Sequence, residues 1–195
     1  LAITVGICQT VLVEAGFNAN LVTLVADTPE NPITASLVEH EDVNIIDYTG
    51  GTAFGDWVEA NAGNAVVYTE KAGVNSIIID SVEQMKAVSG NLAFSLCLYS
   101  GQMCTTPQNI FIPRDGIETA DGPMSFDDVA NAIVKGVDWM LSDQGRANEV
   151  LGAIQNETTA ERIDAAEGEV LREGAPIEHA MFGNARTRSV KIIKL

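Results

Sequence analysis

Apolar and polar positions along the chain follow two periods in turn, about 3.6 and about 2, and the switches between them mark out the elements. Residues 1–15 read as a helix already under way at the first residue, with Gly16 as its stop. Residues 21–26 (LVTLVA) form a short apolar run of the kind that buried parallel strands show. Residues 27–32 read as a turn, and 33–40 as a short helix with Ile33, Leu37 and Val38 on one face. The next strand is 43–48, ending at Thr49-Gly50-Gly51, with Thr52 as the cap of a helix through Asn61 that Gly63 closes. Strands follow at 65–69 and 76–80. Ser81 is the expected cap of a helix whose apolar face uses Val82, Met85, Val88, Leu92 and Leu96. Beyond Gly101, residues 109–113 read as a strand that Pro113 ends. Residues 125–141 form a capped amphipathic helix, with Val129, Ile133, Val137 and Met140 apolar and acids in its first turn. A helix over about 158–171 and a closing strand at 188–195 complete the chain. Strand and helix alternate without internal repeats, which predicts a layered α/β protein with at least one parallel sheet. A chain that begins inside an element reads as a piece of something longer.

Composition narrows the classes. At 195 residues the length suits one domain or two unequal lobes, and a globule of that size buries roughly 70% of its unfolded surface without staples. Apolar residues make up 46% of the chain and the mean hydropathy is +0.12, which excludes disorder. Eleven Lys and Arg stand against 27 Asp and Glu, a net charge of −16, and residues 1–70 contain neither Lys nor Arg. That charge repels phosphate backbones and anionic membrane surfaces, so neither nucleic acid nor membrane is an expected partner. No stretch approaches the ~20 apolar residues of a bilayer span, and no signal peptide is recognisable. Three cysteines (Cys8, Cys97, Cys104) are an odd, sparse set that fits a reducing, cytoplasmic compartment. His40 and His179 lie 139 positions apart and no CxxC occurs, so no metal site is expected.

Three segments carry candidate chemistry. Thr49-Gly50-Gly51-Thr52-Ala53-Phe54-Gly55 is a glycine bend between a strand and a helix, either a plain tight turn or a place where unobstructed backbone N–H groups meet phosphate oxygens. Its spacing is neither GxGxxG nor a P-loop. Glu70, at a strand end before Lys71-Ala72-Gly73, is either a solvated carboxylate or a movable general base. Cys104, in Ser100-Gly101-Gln102-Met103-Cys104-Thr105-Thr106, sits in a glycine-bearing turn where a thiolate can attack an electrophile. Cys97 lies on an apolar helical face and reads as core, and Cys8 reads the same way.

Together these segments resemble the aldehyde dehydrogenase superfamily. Gly50-x-x-x-x-Gly55 is similar to its cofactor-side glycine pair, Glu70 to its general base, and Gly101-Gln102-Met103-Cys104 to its nucleophile motif, at the family's 34-residue interval between Glu and Cys. The wording TEKAGVNS and YSGQMCTTPQN looks most like the PaaN branch, linked to phenylacetic acid degradation. The resemblance covers about residues 1–183. It departs at Gly51, where the family has serine, at Lys71-Ala72, where it has Leu-Gly, and at Cys97, where an aromatic is common. Met181-Phe182-Gly183 is similar to the end of Glu-x-Phe-Gly-Pro, yet Ala180 stands in the glutamate's place, with Glu178 two residues before it as the substitute.

The resemblance implies an aldehyde dehydrogenase-like α/β fold. Residues 1–69 would be the end of a Rossmann-type NAD(P)-binding domain, and 70–195 the first part of a catalytic domain with a mostly parallel sheet. It implies oxidation of an aldehyde, with Cys104 as nucleophile, Glu70 as base, Thr49, Gly50, Gly51, Gly55 and Glu178 toward NAD or NADP, and a homo-oligomer of the full-length enzyme. A CoA-linked semialdehyde is the substrate that the PaaN likeness suggests. Two alternatives stay open: a catalytically inactive α/β scaffold or interaction fragment, and an enzyme that passes the acyl group to coenzyme A. By itself a piece of this kind is expected to turn over negligibly.

Overall fold

Strand–helix–strand crossovers with parallel pairing occur twice in the computed structural model, which describes residues 1–28, 30–154 and 156–195. The two fall in separate compact units, Leu1–Ala72 and Gly73–Leu195.

In the first unit, β1 (Ile45–Gly50) and β2 (Val66–Lys71) pair in parallel through helix α3 (Thr52–Asn61). Both strands alternate exposed and half-buried positions, so one face of the pair packs and the other is open. The packed face brings Ile46, Tyr48 and Val67 against Val58 of α3, Ala62 just past its end, and Val38 of α2 (Thr34–Val38). Gly51, rather than Thr52, is the N-cap of α3, and no side chain caps it. Helix α1 (Ala2–Glu14) ends before Gly16, whose φ of +82° is the left-handed conformation that glycine favours. It is apolar on all sides and buries no residue, so Cys8 is exposed and not a core residue. The strand expected at 21–26 does not form: a short 3₁₀ turn, Ala19–Leu21, leads into extended backbone that is exposed throughout. An apolar run becomes a strand only where a neighbouring strand takes its hydrogen bonds, and among the described residues none pairs with this one; the Val22 carbonyl accepts instead from the Gln9 side chain at 2.9 Å. The turn at 27–32 includes Pro29, which lies outside the described residues; around it Asn31 N–H donates to the Thr28 carbonyl at 3.0 Å.

In the second unit, β3 (Asn75–Ile78) and β4 (Pro107–Phe111) are joined through α4 (Met85–Cys97). Helix α4 begins after Gln84. Ser81 bridges to Glu118 instead of capping it, because the hairpin β5 (Ile117–Thr119) and β6 (Gly122–Met124) draws that backbone aside. Helix α5 (Phe126–Leu141) lies along α4 and buries Val129, Ile133 and Val137 beside Leu92, Ala93 and Cys97. Two short helices, α6 (Gln144–Val150) and α7 (Glu157–Ala165), follow. The expected 158–171 helix stops at Ala165, since Gly168 at φ +143° turns the chain into β7 (Glu169–Arg172), which pairs antiparallel with β10 (Ile192–Lys194). A two-residue pairing of β8 (Pro176–Ile177) with β9 (Thr187–Arg188) completes the unit, so the expected closing strand is divided. No helix among the described residues is long and apolar enough to cross a membrane.

The α4–α5 contact is close enough to dictate a glycine. A Cβ at Gly136 would lie 2.7 Å from the Ser89 carbonyl oxygen. Gly136→Ala gains about 1 kcal/mol of helix propensity and loses about 1–3 kcal/mol to overpacking. The expected net result is a lower denaturation midpoint for this unit, read by urea unfolding. At the start of α5, Ser125 and Asp128 form a reciprocal capping box, and the hydrogen bonds from Ser125 hold the Asp128 carboxyl below its ordinary value. A depressed carboxyl stabilises the fold above the unfolded pKa of about 4 and stops doing so as pH falls through the folded value. Ser125→Ala should therefore flatten the acid limb of the stability curve between about pH 5 and 2, measured as urea midpoints.

Candidate functional site

The bend after β1 is shaped by one tyrosine. Tyr48 folds back so that its hydroxyl donates to the Gly51 carbonyl at 2.9 Å, and a Cβ at Gly50 would collide with the Tyr48 hydroxyl oxygen. A Cβ at Gly55 would come within 2.7 Å of Lys71 Cγ and 3.0 Å of the Tyr48 ring. A side chain at either glycine would thus have to displace the Tyr48 ring or the Lys71 stem. Above Gly51 the space is open, with nothing within 4 Å of an added Cβ. The amide N–H groups of Thr52, Ala53 and Phe54 donate to no acceptor among the described residues. Open amides at the start of a ten-residue helix form a cradle for an anionic oxygen, the feature that a dinucleotide phosphate needs.

Glu70 stands beside this bend, in register with Thr49 across the β1–β2 pair, and both are exposed on the face away from α3. Lys71 points the other way. Its ammonium meets Asp56 at 2.7 Å and Glu59 at 2.8 Å, and these contacts hold the lysine pKa above, and that of Glu59 below, their ordinary values. Thr69 also donates to Glu59. The lysine is therefore engaged with α3, and the Glu70 carboxylate is left to the open face.

In the second unit the nucleophile candidate lies just past α4. Helix α4 ends at the fully buried Cys97, and Tyr99, Ser100 and Gly101 then take φ of 50°, 57° and 74°. Left-handed backbone at two non-glycine residues costs of order 1–3 kcal/mol each, so neighbouring contacts must hold it. Ser100 donates to the Gly152 carbonyl at 2.7 Å, and Gln102 Nε2 donates to the carbonyls of Tyr99 at 2.8 Å and Ala153 at 2.9 Å. A Cβ at Gly152 would sit 3.0 Å from Tyr99 Cα, so a larger residue there would push on the Tyr99 backbone. The next four residues, Met103 to Thr106, form a turn closed by Thr106 N–H on the Met103 carbonyl at 3.0 Å. Cys104 is exposed on it, and its amide N–H has no acceptor among the described residues. Its carbonyl is taken by the Asn75 side chain at 2.5 Å, and the same amide group reaches the Thr106 carbonyl at 3.1 Å.

Glu178 is exposed beside a groove of about 440 Å³ that Ile154, Ile177, Thr187 and Arg188 also line, and its carbonyl accepts from Gln144 at 2.9 Å. The structure brings Thr49, Gly50, Gly51, Gly55 and Glu70 together in the first unit, and Cys104 and Glu178 belong to the second.

The sequence profile of the Aldehyde dehydrogenase family matches residues 2–189. The chain belongs to the aldehyde dehydrogenase family. A crystal structure of an NAD-dependent aldehyde dehydrogenase from Burkholderia multivorans is 50% identical and superposes with a TM-score of 0.90, over 98% of this chain and 35% of that one. Sulfoacetaldehyde dehydrogenase of Neptuniibacter caesariensis is 26% identical over 164 residues, which is 84% of this chain and 34% of that protein. A glyceraldehyde-3-phosphate dehydrogenase from Methanocaldococcus jannaschii, solved with NADP, shares the fold at 16% identity with a TM-score of 0.64, over 97% of this chain and 40% of that one. The chain thus spans about a third of the length of the relatives it matches.

For an aldehyde dehydrogenase chain, the residues that sequence reasoning passed over are Asn75, Ser100 and Gly152, which hold the Cys104 turn. Their partners lie 29 to 52 positions away, and no local pattern announces such pairings. The cysteines differ in kind. Burial pushes the Cys97 thiol up to about 11, so it stays protonated and silent at pH 8. Iodoacetamide should label Cys8 and Cys104 and spare Cys97 until denaturant is added, as peptide mass spectrometry will read.

Proposed function

We propose that this chain supplies part of an NAD(P)-dependent aldehyde dehydrogenase that oxidises an aldehyde to its acid through a thioester on Cys104. The observation that carries the reading is the Cys104 turn: an exposed thiol on a held backbone, with its own amide N–H unengaged. The 50% identity to an NAD-dependent relative across nearly the whole chain supports the same reading. Residues 1–69 act on the cofactor side and 70–195 on the catalytic side.

The Cys104 thiolate adds to the aldehyde carbon, and the carbonyl oxygen takes the negative charge. The Cys104 N–H donates to that oxygen; one such preorganised donor is worth about 3 kcal/mol of barrier. The open amides after Gly51 fit a dinucleotide phosphate, with Thr49, Gly50 and Gly55 shaping the bend, and Glu178 is the candidate for a ribose hydroxyl. When bound, NAD(P)⁺ supplies the acceptor for the hydride that leaves the thiohemiacetal carbon. Glu70 then takes a proton from water as that water attacks the thioester carbon, releasing the acid and the Cys104 thiolate. The likeness to the PaaN branch points to a CoA-linked semialdehyde of phenylacetic acid degradation as substrate, the sparse cysteines to a cytoplasmic setting, and the family resemblance to a homo-oligomer.

Glu70→Gln separates the two halves of this sequence. In the intact subunit that carries this chain, the acyl group should form on Cys104 and persist. Steady-state turnover should fall about a hundredfold or more, the usual worth of a general base. Mass spectrometry of the quenched enzyme reads the acyl adduct, and deacylation at the wild-type rate would remove Glu70 from this role.

A further inference from the structure

The turn that carries Cys104 is held from outside by a side chain that the chemistry above does not use. Asn75 opens β3, 29 residues before the cysteine, and is half-buried. Its Nδ2 has two N–H groups, and both are committed: one to the Cys104 carbonyl at 2.5 Å, the other to the Thr106 carbonyl at 3.1 Å. The β3–β4 pairing is irregular at this point. Asn75 pairs with Pro107 and Ser76 with Asn109, so the ladder passes over Gln108, whose own side chain donates to the Gly73 carbonyl at 3.2 Å. Slips of this kind re-aim a side chain, and here the side chain at the slip is the one that meets the turn.

We propose that Asn75 is a positioning residue for Cys104: its side-chain amide, by gathering the carbonyls of Cys104 and Thr106, fixes how the cysteine presents its thiol and amide. The inference rests on the reading of Cys104 as nucleophile. Its physical basis is the planarity of the peptide unit. A trans peptide points its C=O and N–H in opposite directions, and the described residues contain no cis bond. The turn bond draws the Met103 carbonyl toward Thr106, which sends the Cys104 N–H outward. Asn75 draws the Cys104 carbonyl toward β3, which sends the Thr105 N–H away from it. Both planes that flank the Cys104 Cα are therefore set, one by the turn and one by Asn75. Two dihedrals at Cys104 lose their freedom, and the direction of its side chain follows from them. An asparagine amide suits the task because it offers two neutral donors from one nitrogen. An aspartate of the same shape offers only acceptors to two carbonyl oxygens.

The test compares Asn75→Ala and Asn75→Asp with the wild-type chain, measuring alkylation of each cysteine by iodoacetamide over a range of pH with peptide mass spectrometry. Loss of the clamp should slow Cys104 about tenfold at pH 7.5, the worth of roughly one hydrogen bond, and move its pH midpoint upward. Cys8 should keep its rate and Cys97 its protection. Asp keeps the volume of Asn, so a residue that served packing alone would leave Asn75→Asp near wild type in rate and midpoint, and that result overturns the proposal. If Asn75→Ala exposes Cys97, Asn75→Ser decides, since its hydroxyl keeps one donor: a Cys104 rate between wild type and Asp with Cys97 protected supports the clamp, and a rate equal to that of Asp overturns it. A wild-type Cys104 no faster than Cys8 counts against the nucleophile reading alone, because the ratio of variant to wild type still reads the clamp.

Discussion

The contact between α4 and α5 is the constraint on which the second unit turns. Gly136 lets the α5 backbone lie against the Ser89 carbonyl, and Ala93, Cys97 and Val137 are wholly buried along the same seam. This packing fixes the last turn of α4 and so the point from which the Tyr99–Ser100–Gly101 backbone departs. The left-handed run that follows is unfavourable in isolation, and it persists because Ser100 and Gln102 anchor it to the carbonyls of Gly152 and Ala153. A buried apolar seam thus determines where an exposed thiol stands, some seven residues beyond it.

In each unit the candidate region is built from backbone more than from side chains. At the bend after β1, the useful groups are the amides at the head of α3, left open because no side chain caps the helix. At Cys104, the carbonyls are engaged and the amide is left open. Side chains such as Tyr48, Asn75 and Gln102 act by taking carbonyl oxygens, which leaves N–H groups for an incoming oxygen. In a protein of net charge −16, open backbone amides offer positive partial charge without a cationic side chain.

Much of this was legible in the sequence, and the limits are instructive. Helix α5 follows from its period and its cap, α3 from its period and the Gly63 stop, all of them local signals, and the α/β alternation and parallel pairing follow from strand spacing. The glycine bend, Glu70 and the Cys104 turn stand out as residue types in a given order. The 21–26 run, the cap at Ser81 and the end of α7 were misread because each depends on what lies across from it. A strand needs a partner, Ser81 is drawn off by Glu118, and Gly168 turns the backbone into a pairing with Ile192–Lys194. Cys8 illustrates the same limit: an apolar helix buries its cysteine only where something packs against it. Asn75 was legible only as an asparagine near a turn, since its partners are set by the return of β4.

Lys71 is the first basic side chain of the sequence and the only Lys or Arg in Leu1–Ala72, where it ties β2 to Asp56 and Glu59 of α3. Ten Asp and Glu share that unit, so acetylation or carbamylation of the Lys71 amine would take its charge from −9 to −10 and, more to the point, leave Asp56 and Glu59 facing β2 with no cation between them.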